Sequence, residues 1–253
     1  MEFTLEILAF LFIAAAVAGF MDTLAGGGGL ITVPALVVSG VPPLAALGTN
    51  KLQSSFGSGT ASFLLFKRKK IDWQELRPMM IAAFIGSVIG TVIVQFIDAK
   101  LLGFIIPLVL VIIAAYFITA PYFKFESTKP RISASLYQKT VLPVIGMYDG
   151  MFGPGTGSFL AVAGVSLRGL ELIKATATAK PLNFATNIAS LIVFIFAGQL
   201  VWAAGLTMIV GQVLGAWIGS HYLFKVNPKI LRILIVTICL VMLGQYWFKQ
   251  YGV

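Results

Sequence analysis

Two lysines lie inside apolar stretches of this sequence, where a charge is costly. Lys51 falls within the run 44–66 and Lys180 within the run 175–199. A lysine in a membrane helix costs roughly 2.5–3.5 kcal/mol on insertion scales, so two at matching positions indicate a shared task. One such task is to bind an anion. The sequence leaves open the alternative that each side chain extends to the nearest membrane surface.

Two aspartates also lie in apolar runs, each inside a Gly-rich stretch. Asp22 belongs to 19–29 (GFMDTLAGGGG) and Asp149 to 146–157 (GMYDGMFGPGTG). Lipid offers no partner to a carboxylate or to non-helical backbone, so each stretch predicts a working site. Two roles stay open for the carboxylates: they carry a coupled proton, or they organise the loops by accepting N–H bonds or neutralising a lysine.

Hydrogen-bond donors surround the lysines. A helix that begins directly after a glycine loop also points N–H groups and a positive dipole end at a ligand, which favours an anion. The predicted substrate-binding residues are Lys51, Lys180, Thr49, Asn50, Gln53, Gly28, Gly29, Gly155, Thr156, Gly157, Thr178, Asn183 and Asn187. Asp22 and Asp149 are the predicted coupling or loop-organising residues.

The composition is that of a membrane protein. Of 253 residues, 58% are hydrophobic and 11% are charged, whereas a soluble domain carries roughly 25% charged residues. The runs 101–123, 181–220 and 233–248 lack charged residues and approach or exceed the roughly 20 apolar residues that span a bilayer. These features predict an all-α polytopic membrane protein.

Several other classes of function are disfavoured. The net charge of +9 comes from cations at the ends of apolar runs, as in membrane proteins, and not from a stripe that would bind nucleic acid. A single cysteine rules out a disulfide framework. No nucleophile–base set and no metal-ligand cluster is evident, so we predict no enzyme activity, metal or cofactor.

The chain contains an internal repeat. The two Gly-rich stretches are offset by 127 residues, and later matches such as Lys51 with Lys180 and Trp73 with Trp202 are offset by 129. We therefore predict a first membrane repeat at 1–123, a cytoplasmic linker loop at 124–138 and a second repeat at 139–253.

Each repeat contains four apolar segments. The first of the four is interrupted by glycine, and we predict that it forms two short helices flanking a loop. Whether this segment re-enters its own side or crosses twice stays open. The predicted segments are 5–41, 44–66, 78–97 and 101–123 in the first repeat, and 140–165, 175–199, 203–224 and 230–250 in the second.

The distribution of Lys and Arg predicts the topology. If every segment crossed once, these residues would divide ten to six; if the interrupted segments return to their own side, they divide 14 to two. The second division fits the positive-inside rule better. It makes the repeats inverted and places both termini outside the cytoplasm.

The chain resembles the TauE/SafE sulfite and organosulfonate exporter family of prokaryotic membrane proteins. The paired Gly-rich stretches, the motif 48–51 (GTNK) and its counterpart 175–180 (ATATAK) carry the resemblance, which covers nearly the whole chain. It implies transport of sulfite, sulfonates or related anions across the prokaryotic inner membrane. Ala179 replaces Asn50 in the second repeat, so the half-sites differ, as would suit an asymmetric anion.

We therefore expect a secondary transporter of small sulfur-containing anions that works by alternating access, with proton coupling as an option. The alternative is an anion channel or a non-transporting membrane scaffold. The expected partners are a small anionic substrate and the lipid bilayer, with a homodimer as a further option and no nucleic acid.

Overall fold

The computed structural model describes residues 3–67, 73–119, 129–222 and 228–251. All regular secondary structure in these ranges is helical, which confirms the predicted all-α class. A five-residue π-helical turn at Tyr137–Val141 joins α6 to α7. The α-helices are α1 (Leu5–Ala25), α2 (Gly29–Val38), α3 (Pro43–Lys67), α4 (Trp73–Gln95), α5 (Ala99–Thr119), α6 (Ala134–Leu136), α7 (Leu142–Met151), α8 (Thr156–Arg168), α9 (Leu172–Phe196), α10 (Trp202–Tyr222) and α11 (Pro228–Tyr251).

The long helices have the length and character of membrane spans. Among the described residues, α1, α4, α5, α9 and α10 are long and apolar enough to cross a bilayer. Large apolar side chains such as Phe96 and Phe196 are exposed on the outside of the bundle, as expected of a surface that faces lipid. The chain is a polytopic membrane protein, as predicted.

Glycine ends the first helix of each repeat. Gly26 follows α1 with a left-handed φ of 76°, and its N–H bonds to the Asp22 carbonyl at 2.8 Å. Gly153 and Gly155 follow α7 with φ of 96° and 81°. These conformations cost a side chain roughly 1–2 kcal/mol, so the glycines set the break. Each predicted interrupted segment is thus two helices flanking a loop.

One helix length and one element boundary differ from the prediction. Helix α1 has 21 residues and is long enough to cross the membrane, so the predicted pair of short helices is wrong for the first repeat. Helix α6 begins at Ala134, inside the predicted linker loop 124–138, of which residues 124–128 lie outside the described residues. The predicted boundary at residue 138 was set where the polar stretch gives way to an apolar one, and α6 lies before that point.

The two repeats interlock. Helix α1 packs along α10, while its counterpart α7 packs along α4, the counterpart of α10. Glycines allow this contact, as the small-residue spacing predicts: a Cβ on Gly90 would lie 2.8 Å from the Met147 carbonyl carbon. We define two groups of packed helices, each of mixed repeat origin, although α3 packs against α9 of the other group about as extensively as against α10 of its own. Body A, as we name it, comprises α1, α3 and α10, and body B comprises α4, α7 and α9.

Bodies A and B meet where α3 packs against α9. Ser58 of α3 and Asn187 of α9 occupy equivalent repeat positions, and the Asn187 Nδ2 donates to the Ser58 Oγ at 3.4 Å. Equivalent residues meet each other in this way near a two-fold axis. The contact is consistent with repeats related by a pseudo-two-fold axis, and their inverted orientation stays a prediction.

Candidate functional site

The glycine loops of the two repeats touch each other in the interior. A Cβ on Gly26 would lie 2.6 Å from the Gly157 carbonyl carbon, and one on Gly29 would lie 2.9 Å from the Pro154 Cα. Beside this contact is a small polar cavity with free space for about one water. It is lined by Asp22, Gly26, Gly29, Asn50, Ser54, Asp149, Gly153, Gly155, Thr156, Gly157, Asn183 and Asn187.

Lys51 enters the loop region from α3 and pairs with the opposite repeat. Its Nζ lies 2.8 Å from the Asp149 Oδ1, and both side chains are 1% exposed. It also donates to the Asn187 Oδ1 at 3.3 Å. The Thr156 Oγ1, in the first turn of α8, donates to the same Asp149 oxygen at 2.7 Å. A charge buried to this degree needs such partners, because an unpaired ion in low dielectric is strongly destabilising.

Gly153 leaves room for this ion pair. A Cβ at position 153 would lie 3.0 Å from the Lys51 Nζ and 3.4 Å from the Asp149 Oδ1. Its φ of 96° also favours glycine. The break in the helix and the seat of the lysine therefore depend on the same residue.

Lys180 enters from α9 and pairs with the first repeat. Its Nζ lies 3.7 Å from the Asp22 Oδ2 and donates to the Asp22 carbonyl at the end of α1. The Asp22 Oδ1 accepts the Gly28 N–H at 3.2 Å, which closes the loop between α1 and α2. Asp22 is 17% exposed, so this pair is looser and wetter than the pair of Lys51.

The first repeat adds a polar network that the second lacks. The Asn50 Oδ1 accepts from the Thr32 Oγ1 at 2.6 Å and from the Gln53 Nε2 at 2.9 Å. The residue equivalent to Asn50 is Ala179, which is buried and apolar. The two halves of the cavity wall therefore differ chemically, as the sequence predicts.

The structure brings most of the predicted site residues together. Lys51 and Lys180 are each 1% exposed, so the alternative that they extend to a membrane surface is wrong. Both are the ninth residue of a 25-residue helix. Asn50, Gly29, Gly155, Thr156, Gly157, Asn183, Asn187, Asp22 and Asp149 line the cavity.

Six predicted residues lie off the cavity wall. Two of them, Lys51 and Lys180, reach it through their lining partners Asp149 and Asp22. The Thr49 Oγ1 accepts the Val201 N–H at 3.0 Å, and the Thr178 Oγ1 donates to the carbonyl of Lys174 on its own helix. The N–H of Gly28 is occupied by Asp22, and Gln53 contacts the cavity wall by donating to Asn50 and Ser54. The i, i+4 spacing does not reveal which side of α3 or α9 turns inward.

Sequence reasoning left three lining residues out of the predicted site: Ser54, Gly26 and Gly153. Ser54 is the repeat counterpart of Asn183, so the 129-residue offset contains the signal. The glycines sit in the predicted loops, but only their positive φ and close contacts distinguish them from their neighbours.

Comparison with known proteins identifies the family of this chain. The sequence model of the family described as "Sulfite exporter TauE/SafE" matches residues 11–246. The chain belongs to the TauE/SafE family. The resemblance seen in the sequence is thereby confirmed over nearly the whole chain.

Relatives of this TauE/SafE protein are named as membrane transporters. The "Probable membrane transporter protein ORF9" of Sinorhizobium sp is 42% identical over 237 residues, covering 94% of this chain and 91% of its own. A "Probable membrane transporter protein" of Haemophilus influenzae is 38% identical over 250 residues, covering 99% and 98%. The "Probable membrane transporter protein YfcA" of Escherichia coli K12 is 39% identical over 246 residues, covering 97% and 91%. No solved structure matches significantly.

Family and relatives together place this TauE/SafE protein among membrane transporters and not among enzymes, as predicted. Within the described ranges, no three His, Cys, Asp or Glu residues cluster as metal ligands would. The cavity wall instead combines neutral donors with two carboxylates, each of which is paired with a buried lysine. Such a set can hold and release a charged solute without breaking covalent bonds.

Proposed function

We propose that this TauE/SafE protein is a secondary transporter that moves small sulfur-containing anions across the bacterial inner membrane by alternating access. The observation that carries the proposal is the crossed pairing of Lys51 with Asp149 and of Lys180 with Asp22 around one polar cavity. Each pair joins one repeat to the other where a helix is broken. Transporters commonly place substrate sites at such repeat interfaces, between discontinuous helices.

The chemistry of the cavity favours an anion with an oxyanion head. Helices α2 and α8 both begin at the cavity wall, at Gly29 and Thr156, so two positive dipole ends meet there. Amide and hydroxyl groups complete the wall. In this conformation the cavity has free space for about one water, so a larger anion binds only when the wall opens, as alternating access would allow. Sulfite and short sulfonates fit the charge of the wall.

The difference between the half-sites supports an asymmetric substrate. Asn50 adds an amide on the side of the first repeat, where Ala179 adds none on the other. An anion with an oxyanion head and a different tail would use both environments. Sulfonates have this form, and the family takes its name from sulfite export.

Alternating access would arise from movement between bodies A and B. Each ion pair connects the bodies: Lys51 of body A with Asp149 of body B, and Lys180 of body B with Asp22 of body A. In each body one pair of helices, α1 with α10 or α4 with α7, packs backbone to backbone through glycines, which favours movement of that pair as a unit. We propose that substrate binding exchanges partners at the two lysines and thereby opens the interface between α3 and α9.

The experiment that tests this function is flux into proteoliposomes. Sulfite, sulfoacetate and taurine would be offered to wild type, Lys51→Ala and Lys180→Ala, with thermal-shift titrations of the same compounds. We expect saturable flux of at least one compound by wild type and loss of affinity in both variants. Unchanged affinity in both variants would rule out the proposed site.

A second measurement separates a carrier from a channel. Ser54→Cys, made in a Cys239→Ala background, places a single thiol in the cavity wall. A carrier exposes this thiol to impermeant reagents from one side at a time, and substrate shifts the balance. Equal labelling from both sides together with non-saturating flux would favour the channel alternative.

A further inference from the structure

We propose that each monovalent anion crosses the membrane together with one proton, and that this proton binds the Oδ2 of Asp149. The inference rests on the transport function proposed above and assigns its coupling site and stoichiometry. It starts from an asymmetry between the two carboxylates of the cavity. Asp149 is 1% exposed and its Oδ2 has no hydrogen-bond partner among the described residues.

Both bonds to Asp149 fall on one oxygen. The Oδ1 accepts from the Lys51 Nζ at 2.8 Å and from the Thr156 Oγ1 at 2.7 Å. A buried acceptor without a hydrogen-bond partner is unfavourable, so the unpartnered lone pairs of the Oδ2 are a favourable place for a proton to bind. A proton on the Oδ2 leaves both existing bonds geometrically possible and turns this oxygen into a donor at the cavity wall. The side chain can therefore be neutralised without rebuilding the loop.

The charge of the cavity requires a proton when a monoanion binds. With both pairs intact, Lys51, Lys180, Asp22 and Asp149 sum to zero. A monoanion added to this set would leave one negative charge uncompensated in a buried site, which is strongly unfavourable. If a proton from water first bonds to the Oδ2, the ammonium of Lys51 keeps its own protons and the anion replaces the carboxylate as its counter-ion. The net charge is zero before and after.

Asp22 is the less suitable proton carrier. Its Oδ1 accepts the N–H of Gly28 at 3.2 Å, and its Oδ2 faces Lys180 at 3.7 Å. Both oxygens are thus engaged, and the first bond holds the α1–α2 loop. The side chain is also more exposed than Asp149, at 17%. We assign Asp22 to loop organisation and to offsetting the charge of Lys180.

The other charged groups on the helices around Asp149 lie at helix ends. Lys174 of α9 pairs with Glu75 of α4 at 3.8 Å on the exposed surface. Arg168, the last residue of α8, donates to the Ile132 carbonyl. The neighbouring Tyr148 hydroxyl donates to the Pro154 carbonyl at 2.6 Å. Among the described residues, the charged group in contact with Asp149 is Lys51, and the other charged pair at the cavity is Lys180 with Asp22.

The test uses monovalent sulfonates, because a sulfonate stays ionised near neutral pH. Any proton that crosses with it is therefore bound by the protein and not by the substrate. Proteoliposomes with an internal pH dye would be given radiolabelled methanesulfonate or isethionate, with the membrane potential clamped by potassium and valinomycin. We expect one proton per anion, uptake driven by an inward acid gradient, and no response to the clamped potential. This wild-type measurement does not depend on the folding of any variant.

Variants then locate the proton. In Asp149→Asn, uptake driven by the acid gradient should fall at least tenfold, while exchange of labelled for unlabelled anion persists and shows that the protein is folded. Asp22→Asn is the matched comparison: whatever its rate, its flux should keep the pH dependence of wild type. An Asp149→Asn protein that retains gradient-driven uptake would overturn the assignment.

The outcomes separate the two proposals. Sulfonate flux that carries current and moves no proton would refute the coupling and leave the transport function standing. Transport of sulfite but of neither sulfonate would also overturn the inference. A protonated Asp149 beside Lys51 should accept an anion that stays singly charged, as a sulfonate does. Saturable flux of no sulfur anion at all would remove the proposed function itself.

Discussion

The Lys51 Nζ of the first repeat lies 2.8 Å from the Asp149 Oδ1 of the second, with both side chains buried. The counterpart lysine, Lys180, reaches back to Asp22 of the first repeat at 3.7 Å. Each repeat thus contributes the cation to one pair and the carboxylate to the other. The site exists only when the two repeats are assembled.

A double-mutant cycle on the tighter pair should reveal a large coupling energy. Lys51→Met leaves the buried Asp149 carboxylate without its counter-ion, which costs about 3–5 kcal/mol when one partner of a buried pair is removed. Lys51→Met combined with Asp149→Asn should recover most of this loss. The free energies of unfolding of wild type, both single variants and the double variant, purified in detergent, give the coupling energy. Additive losses in the double variant would contradict the pairing.

The second pair is the internal comparison for that cycle. Asp22 is 17% exposed and lies farther from its lysine, so water compensates its charge in part. The coupling between Lys180→Met and Asp22→Asn should therefore be smaller. A coupling as large as that of the first pair would contradict the difference in burial.

Gly153→Ala should disrupt both the loop and the site. The left-handed φ of 96° costs alanine roughly 1–2 kcal/mol, and the new Cβ would lie 3.0 Å from the Lys51 Nζ. The matched control is Gly40→Ala, where φ is 88° and a Cβ meets no atom within 4 Å. Both variants should lose stability, but only Gly153→Ala should lose anion affinity in a thermal-shift titration. Equal affinity in the two variants would separate Gly153 from the site.

The interlocking of the repeats should depend on Gly90. Alanine there would place a Cβ 2.8 Å from the Met147 carbonyl carbon and push α4 away from α7. Gly103→Ala in α5 is the control, because its Cβ would meet its nearest atoms at 4.0 Å. The control should be neutral or gain up to about 1 kcal/mol from helix propensity, whereas Gly90→Ala should lower the melting temperature. Similar melting temperatures for both would refute the close crossing.

Thr32→Val should weaken anion binding although Thr32 lies behind the cavity wall. The change removes the donor that holds the Asn50 Oδ1 at 2.6 Å. A neutral hydrogen bond contributes about 0.5–1.5 kcal/mol. If the binding free energy changes by a similar amount, the affinity falls about three- to tenfold. Thr178→Val is the control, because the Thr178 hydroxyl bonds to its own helix away from the cavity. A larger loss in Thr178→Val would restore that residue to the site.

The breaks in the helices were predictable because their causes are local. Gly26 and Gly153 are glycines in apolar runs, and a glycine can end a helix wherever it stands. The lysines were predictable as site residues for a similar reason, since a cation inside an apolar run needs a partner wherever the run folds. The short helix Ala134–Leu136 was not predictable, because it forms in a stretch of polar composition that is typical of a loop.

The inward-facing residues were harder to choose. Thr49 and Asn50 are adjacent in the sequence and equally polar, yet Thr49 binds the Val201 N–H while Asn50 lines the cavity. The side of a helix that faces a cavity depends on what packs around it. A buried helix such as α3 is surrounded on several sides, so its sequence contains no single polar face.

The sequence by itself determined that this chain spans the membrane as a duplicated set of helices with two glycine breaks and two intramembrane lysines. Those properties follow from the length of apolar runs and from the conformational freedom of glycine, which act over a few residues. Only the tertiary structure decided that each lysine pairs with the aspartate of the other repeat, and that the packed bodies mix helices from both. These choices depend on close backbone contact between α1 and α10 and between α4 and α7. They join residues as far apart as Asp22 and Lys180, and no local pattern encodes them.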